Sequence, residues 1–217
     1  MTISNDSITV TPGSGATVAT HLIGGKEHQM TVDVDEYGHI TGTAPAYILF
    51  VPSSAAGANK VYFDLFNAVG SGVMLRVKSV EVIKNGSVAV TGTLSVQLFL
   101  TRTTAVGTGG TAATAESTSF TAPGLNKMNP ANANLPAGVT ARSVPTAGAT
   151  AGAVLGEVHI FSEETNASSY EYIDFLIAEA ADIQPIFVPE GTGIRVVQGT
   201  VASVGNTGFN VIFEAVS

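Results

Sequence analysis

Cysteine and tryptophan are both missing from this chain of 217 residues, and charge is scarce. Asp, Glu, Lys and Arg together make up 12% of it, about half the ~25% usual in soluble domains. Without cysteine there can be no disulfide and no thiolate metal centre, and the redox compartment cannot be read. Tryptophan is absent and tyrosine numbers five, which weakens a sugar-binding reading, because sugar platforms lean on exposed aromatic rings. Nine basic residues are scattered from Lys26 to Arg195 without a run, against a net charge of -8. A phosphate-binding face needs clustered Lys or Arg, so the sequence predicts no nucleic-acid partner, and membrane-surface binding fails on the same ground. No apolar stretch reaches the ~18 residues of a membrane helix. The polar start, Met1 to Ser14, has neither the basic opening nor the apolar core of a signal peptide, which predicts a soluble protein made in the cytoplasm.

Catalytic signatures are also missing. There is no Gly-x-Ser-x-Gly elbow, and Gly13-Ser14-Gly15 opens no strand-to-helix turn. Gly107-Thr108-Gly109-Gly110 is glycine-rich but lacks the Lys of a phosphate cradle. The four histidines are His21, His28, His39 and His159. His21 and His28, with Glu27 and Asp33 nearby, could be drawn as a metal site, yet their spacing matches no ligand signature, and exposed or hydrogen-bonded histidine is the better reading. Asp33-x-Asp35 followed by Glu36 and Gly38 has the start of a calcium loop without its later oxygen ligands, so a solvated turn is favoured, as it is for Glu163-Glu164. Glu157 and His159 share one face of a predicted strand, but without an orienting third group they read as surface residues. Asn85-Gly86-Ser87 and Asn166-Ala167-Ser168 match a glycosylation pattern that no secretion signal supports. The expectation is a non-enzymatic protein with no catalytic, cofactor-binding or metal residue and no cofactor.

What is plentiful is Gly, at 24 residues, with Ala, Val, Thr and Ser. β-Branched side chains fit a pleated surface, and glycine supplies turn conformations other residues resist. A surface of small uncharged groups is cheap to desolvate, which points to large protein contacts. Residues 1–45 read as an extended arm with little core of its own and one short strand at Met30 to Asp35. The β-domain then spans 46–217. Tyr47 to Val51 and Val61 to Phe66 are apolar runs, and Val73 to Ile83 alternates with period 2. Asn85-Gly86 predicts a hairpin between that run and the return strand, Val88 to Thr101. Residues 103–153 are almost entirely small or polar and read as a long loop excursion, mobile or ordered by a neighbouring subunit. Val154 to Phe161, Tyr170 to Ala181 (helical spacing competing with alternation), Ile186 to Val188, Gly193 to Gln198 and Thr207 to Val216 complete eight to ten strands. The expected fold is an all-β antiparallel sandwich, jelly-roll-like, with an N-terminal arm and a central excursion.

Three segments carry a family resemblance. Ala16-Thr17-Val18-Ala19-Thr20-His21-Leu22-Ile23-Gly24-Gly25-Lys26-Glu27-His28-Gln29 resembles an N-terminal phrase of tailed-bacteriophage virion proteins. Pro189 to Gln198 followed by Gly208 to Glu214 is similar to their usual close. Asp64 to Ala68, with Gly70-Ser71-Gly72 and Leu75-Arg76-Val77, is similar to a strand–turn–strand in such proteins. The 103–153 stretch has no counterpart. The resemblance implies a capsid decoration (cement) protein: a homo-oligomer, typically a trimer, seated on the major capsid protein at the capsid exterior after synthesis in the host cytoplasm. A head-fibre or tail component contacting the host is the alternative, and a jelly-roll carbohydrate-binding module a weaker one.

Overall fold

The computed structural model describes residues 20–23, 26–29, 44–85, 94–146, 151–162, 173–176 and 185–216. The chain divides into two compact units, residues 1–42 and 43–217. In the first, β1 (Thr20–Ile23) and β2 (Lys26–Gln29) pair antiparallel, with Ile23 opposite Lys26 and His21 opposite His28. The strand expected at Met30 to Asp35 lies outside the described residues.

The second unit contains β3 (Ala46–Ala55), β4 (Val61–Asn67), β5 (Met74–Asn85), β6 (Leu94–Thr103), β7 (Thr111–Ala112), β8 (Thr114–Ala115), β9 (Gly124–Lys127), β10 (Val139–Ser143), β11 (Ala151–Ser162), β12 (Ile173–Asp174), β13 (Ile186–Val188), β14 (Thr192–Gln198) and β15 (Asn206–Val216). They form a six-stranded sheet, β11-β6-β14-β4-β10-β7, and a seven-stranded sheet, β12-β5-β15-β3-β9-β8, with β13 also on β5. Every pairing is antiparallel except β8 with β9. The sheets face one another: Tyr62 and Phe63 of β4 meet Phe209 of β15 with ring centroids 5.3 and 5.4 Å apart. The fold is an all-β sandwich, as the composition predicts.

Alternation explains which side chains make the core. Tyr47, Leu49 and Val51 of β3, Val96, Leu98 and Leu100 of β6, and Phe209, Val211 and Phe213 of β15 are all buried two residues apart. Each large side chain withdrawn from water in this way contributes about 1.5–3 kcal/mol. β5 breaks phase: Leu75 and Val77 are buried, then Val80 and Val82. A register shift between Ile212 and Phe213 on β15 marks the bulge that inserts the extra residue.

Two sequence expectations are corrected. The Asn85-Gly86 hairpin does not form between β5 and β6. One edge of β5 is taken by β15 and the other by β12 and β13, while β6 lies between β11 and β14 in the opposite sheet. The chain crosses the sandwich here instead of turning back within one sheet, because both flanks of each strand already have partners. Residues 86–93 themselves lie outside the described set.

The second correction concerns the 103–153 excursion, which is integral to the sandwich and not a loose loop. It supplies β7 to β10, extending the six-stranded sheet beyond β4 and the seven-stranded sheet beyond β3. Leu125, Val139 and Ala141 enter the core, and these additions cover two edges that would otherwise expose unpaired backbone. Its anchors are backbone hydrogen bonds, such as Val144 N–H to Tyr62 O and Met128 N–H to Ala46 O at 2.9 and 3.0 Å.

Candidate functional site

β4 is buried on both faces, from Tyr62 to Asn67. Phe63 and Leu65 point into the core, so Asp64 lies on the outer face of the six-stranded sheet, where an aspartate would ordinarily be wet. It is 1% exposed. The register places Arg142 of β10 directly opposite Asp64 on one side and Arg195 of β14 on the other. Arg195 continues the row, its Nε donating to Thr101 Oγ1 of β6 at 3.2 Å.

The glycine-rich loop covers this row. Gly107 N–H donates to Asp64 Oδ2, and a Cβ at 107 would come within 2.7 Å of that oxygen, so glycine is required for the approach. Arg142 Nη1 donates to Gly109 O at 3.1 Å, and Thr146 N–H to Thr108 O at 2.9 Å. The loop that resembles half of a phosphate cradle therefore serves a carboxylate of its own chain. Burial pushes the Asp64 carboxyl above the ordinary aspartate range, and the Gly107 N–H, Arg195 and Arg142 oppose that shift without cancelling it.

A second cluster lies further along the same face. His159 Nε2 is 2.7 Å from Glu157 Oε1, and His159 Nδ1 is 3.0 Å from Ser95 Oγ. Gln97 Nε2 donates to Glu157 Oε1 at 2.6 Å. An ionised carboxylate only accepts, so Nε2 carries the ring hydrogen and, in the neutral ring, Nδ1 accepts from the Ser95 hydroxyl. The Gln97 hydrogen bond, followed by that of His159, holds Glu157 below the ordinary glutamate range. Ser95 is the orienting group that the sequence could not show, since it lies 64 residues away. All four side chains sit along β6 and β11, where they pin an edge strand to its neighbour. The serine and both titratable groups are open to water, and neither of the two hollows described below contains any of them.

Two further polar anchors sit on loops. Glu190 accepts from Gly70 N–H at 2.9 Å and Gly72 N–H at 2.6 Å, which holds its carboxyl below the ordinary range and ties the β13–β14 turn to the β4–β5 turn. Buried Gln198 accepts from Tyr62 Oη at 2.9 Å and from Gly57 N–H at 2.8 Å. Burial raises Tyr62 to about 12.

His21 and His28 are opposed in the β1–β2 register, while His39, Asp33, Asp35, Glu36, Glu163, Glu164 and Asn166 lie outside the described residues. Among the described residues no three His, Cys, Asp or Glu side chains gather as a metal site, and no helix is long and apolar enough to cross a membrane.

Two hollows remain. One, about 190 Å³, opens where the excursion closes the sandwich and is lined by Tyr47, Leu125, Leu135, Pro136 and Val139 with Glu116 and Lys127 at its polar side. The other, about 350 Å³, lies on the outer face of the seven-stranded sheet between Phe50, Ile83 and Phe120. No family model, no curated protein and no solved structure matches this chain.

Proposed function

We propose that this chain is a structural virion protein that decorates and stabilises a bacteriophage capsid through protein–protein contacts, without catalysis. The observation that carries the reading is the surface made by residues 104–146. Only Glu116, Lys127 and Arg142 are charged in that stretch, it is held to both sheets by backbone pairing, and it turns Val106 and Met128 outward at 43% and 53% exposure. A preordered, weakly charged surface loses little entropy and little hydration when another protein covers it. On a closed shell, many such contacts favour the assembled state together.

The strand order supports a jelly-roll reading. Taking β3, β4, β5, β6, β11, β12/β13, β14 and β15 as eight successive strands, one sheet runs first-eighth-third-sixth and the other second-seventh-fourth-fifth, the interleaving that two Greek keys produce. In this reading the protein is a homo-oligomer, trimeric as in the decoration proteins it resembles, bound to the major capsid protein at the capsid exterior.

The test is co-sedimentation of the purified chain with capsids lacking it, followed by a heat or osmotic challenge. Saturable binding with raised capsid stability is expected. Failure to bind, or binding only to tail fractions, overturns the decoration role, and the second outcome favours the head-fibre or tail alternative.

A further inference from the structure

The outer face of the seven-stranded sheet carries an apolar patch in which Ile48, Phe50 and Ile212 are half-buried and Ile83 and Phe120 are exposed. Ile48 and Phe50 of β3 and Ile212 of β15 alternate outward from the core, with Ile48 directly opposite Ile212. Ile83 of β5 is 37% exposed, and Phe120 stands over the patch at 90%. Between Ile83 and the bulged strand β3 the central position is Gly208. A Cβ there would come within 2.9 Å of Val51 O and Ser53 Oγ, so the floor carries no side chain and the hollow of about 350 Å³ stays open.

Phe120 is not on a floppy tip. Ser119 Oγ accepts from Thr121 N–H at 3.2 Å and Ala122 N–H at 3.0 Å, closing the turn that bears the ring. Asn126 clamps the base of the loop, accepting from Ser117 N–H at 2.8 Å and donating to Ser117 O at 3.3 Å. A ring carried on a hydrogen-bonded turn beside a hollow of this size has its backbone ordered before anything binds, and only the ring's own rotamer is left to fix.

Charge selects the occupant. The chain carries -8, so two copies repel at most approaches. On this face the described charges nearly cancel: Arg76 and Lys78 are both bonded to Glu214, Glu81 is met by Asn210, and Asp174 stands opposite Glu81. Two basic and three acidic groups leave -1, a small part of the chain's total. The area is also sufficient. Three strands about 4.8 Å apart and about ten residues long present roughly 500 Å² per copy, and twice that reaches the ~1,000 Å² at which a specific interface begins.

We infer that this face is a contact between two copies of the chain, in which each copy's Phe120 seats in the Gly208-floored hollow of the other. Knob and hole lie side by side on one surface, so a two-fold axis engages both at once, and the same patch is self-complementary. This contact is separate from capsid attachment and does not rest on the virion reading.

Sedimentation equilibrium of the full chain from about 1 to about 200 µM tests it. Wild type is expected to associate across this two-fold contact, pairing monomers or trimers, and Phe120→Asp and Ile83→Glu are each expected to weaken that step at least ~100-fold, as for a central aromatic anchor. Circular dichroism of both variants checks that the sandwich is intact, and Phe120, being exposed, can change without disturbing the core. A wild type that stays monomeric at the highest concentration overturns the inference. So does an assembly of any stoichiometry that Phe120→Asp leaves unchanged.

Discussion

The outer faces of the two sheets use one device in two solvents. On the six-stranded sheet, Arg142, Asp64 and Arg195 stand in line across three strands beneath the glycine-rich loop. On the seven-stranded sheet, Arg76 and Glu214 are directly opposed across two strands, with Lys78 at 3.5 Å completing the group. Cross-strand ion pairs are ordinary; what differs is the cost of leaving one half alone. Under the loop, an orphaned Asp64 carboxylate at 1% exposure has no water to turn to, while Arg142 and Arg195 on either side are half-buried. On the other sheet Arg76 is itself buried, and Glu214 keeps part of its hydration. The lesson is that register puts charges together, and the covering segment decides what they are worth.

Breaking the covered row should have the largest effect. Asp64→Ala removes the acceptor of Gly107 N–H and takes the carboxylate from between the half-buried Arg142 and Arg195, with an expected loss of about 2–3 kcal/mol in urea unfolding. Proteolysis should then cut first within residues 104–110, since the loop loses its anchor to β4. A loss under ~1 kcal/mol would show that the loop is held by its backbone bonds alone and that the contrast between the faces is false. Breaking the open row should cost less. Arg76→Leu leaves Glu214 with Lys78 and partial hydration, so about 1–2 kcal/mol is expected, and Arg76→Leu with Glu214→Leu should recover most of it.

Acidity sharpens the same contrast. The folded protein holds the Asp64 proton more tightly than the unfolded chain does. As pH rises from the ordinary aspartate value of ~3.9 through the raised folded value, the native state therefore binds more protons, and this group's contribution to stability falls. Glu190 and Glu157 act oppositely: both are lowered, so their stabilisation is present above the ordinary glutamate value and is lost as pH falls toward the folded ones. Comparing wild type with Asp64→Asn by thermal unfolding across mildly acidic pH isolates the falling component. The wild type should gain on the variant as pH is lowered through that window. An unchanged difference would mean that the two arginines fully offset burial.

How far this could be read in the residues depends on the distance between partners. Alternation along one strand is local, so the core positions of β3, β6 and β15 follow from spacing alone, and with them the all-β class. Pairing is not local. Asn85-Gly86 carries a strong turn preference, yet the partners competing for the flanks of β5 come from residues 173–216, and they decide the topology. The 103–153 stretch misleads for another reason: its strands are two to five residues long and contribute few large side chains, so it shows no period while still covering two sheet edges. Asp64 reads as a polar interruption in Val61 to Phe66, and Gly107 as a loop residue 43 positions away. Nothing in either segment announces the other. Glu157 and His159 were visible as a pair two residues apart, and Ser95 was invisible for the same reason of separation.

The smallest effect on folding is expected at the most conspicuous side chain. Phe120 is 90% exposed on a turn whose hydrogen bonds come from Ser119 and Asn126, none from the ring itself. Replacing it with Ala removes no core contact and leaves no buried cavity, so monomer stability should stay within about 0.5 kcal/mol of wild type in urea. Any loss of association by Phe120→Asp can then be assigned to the contact, because the fold is indifferent to the ring. A Phe120→Ala loss above ~1 kcal/mol at a dilution where only monomer is present would place the ring in the fold's own packing, and the open face of the seven-stranded sheet would then be less open than its exposure indicates.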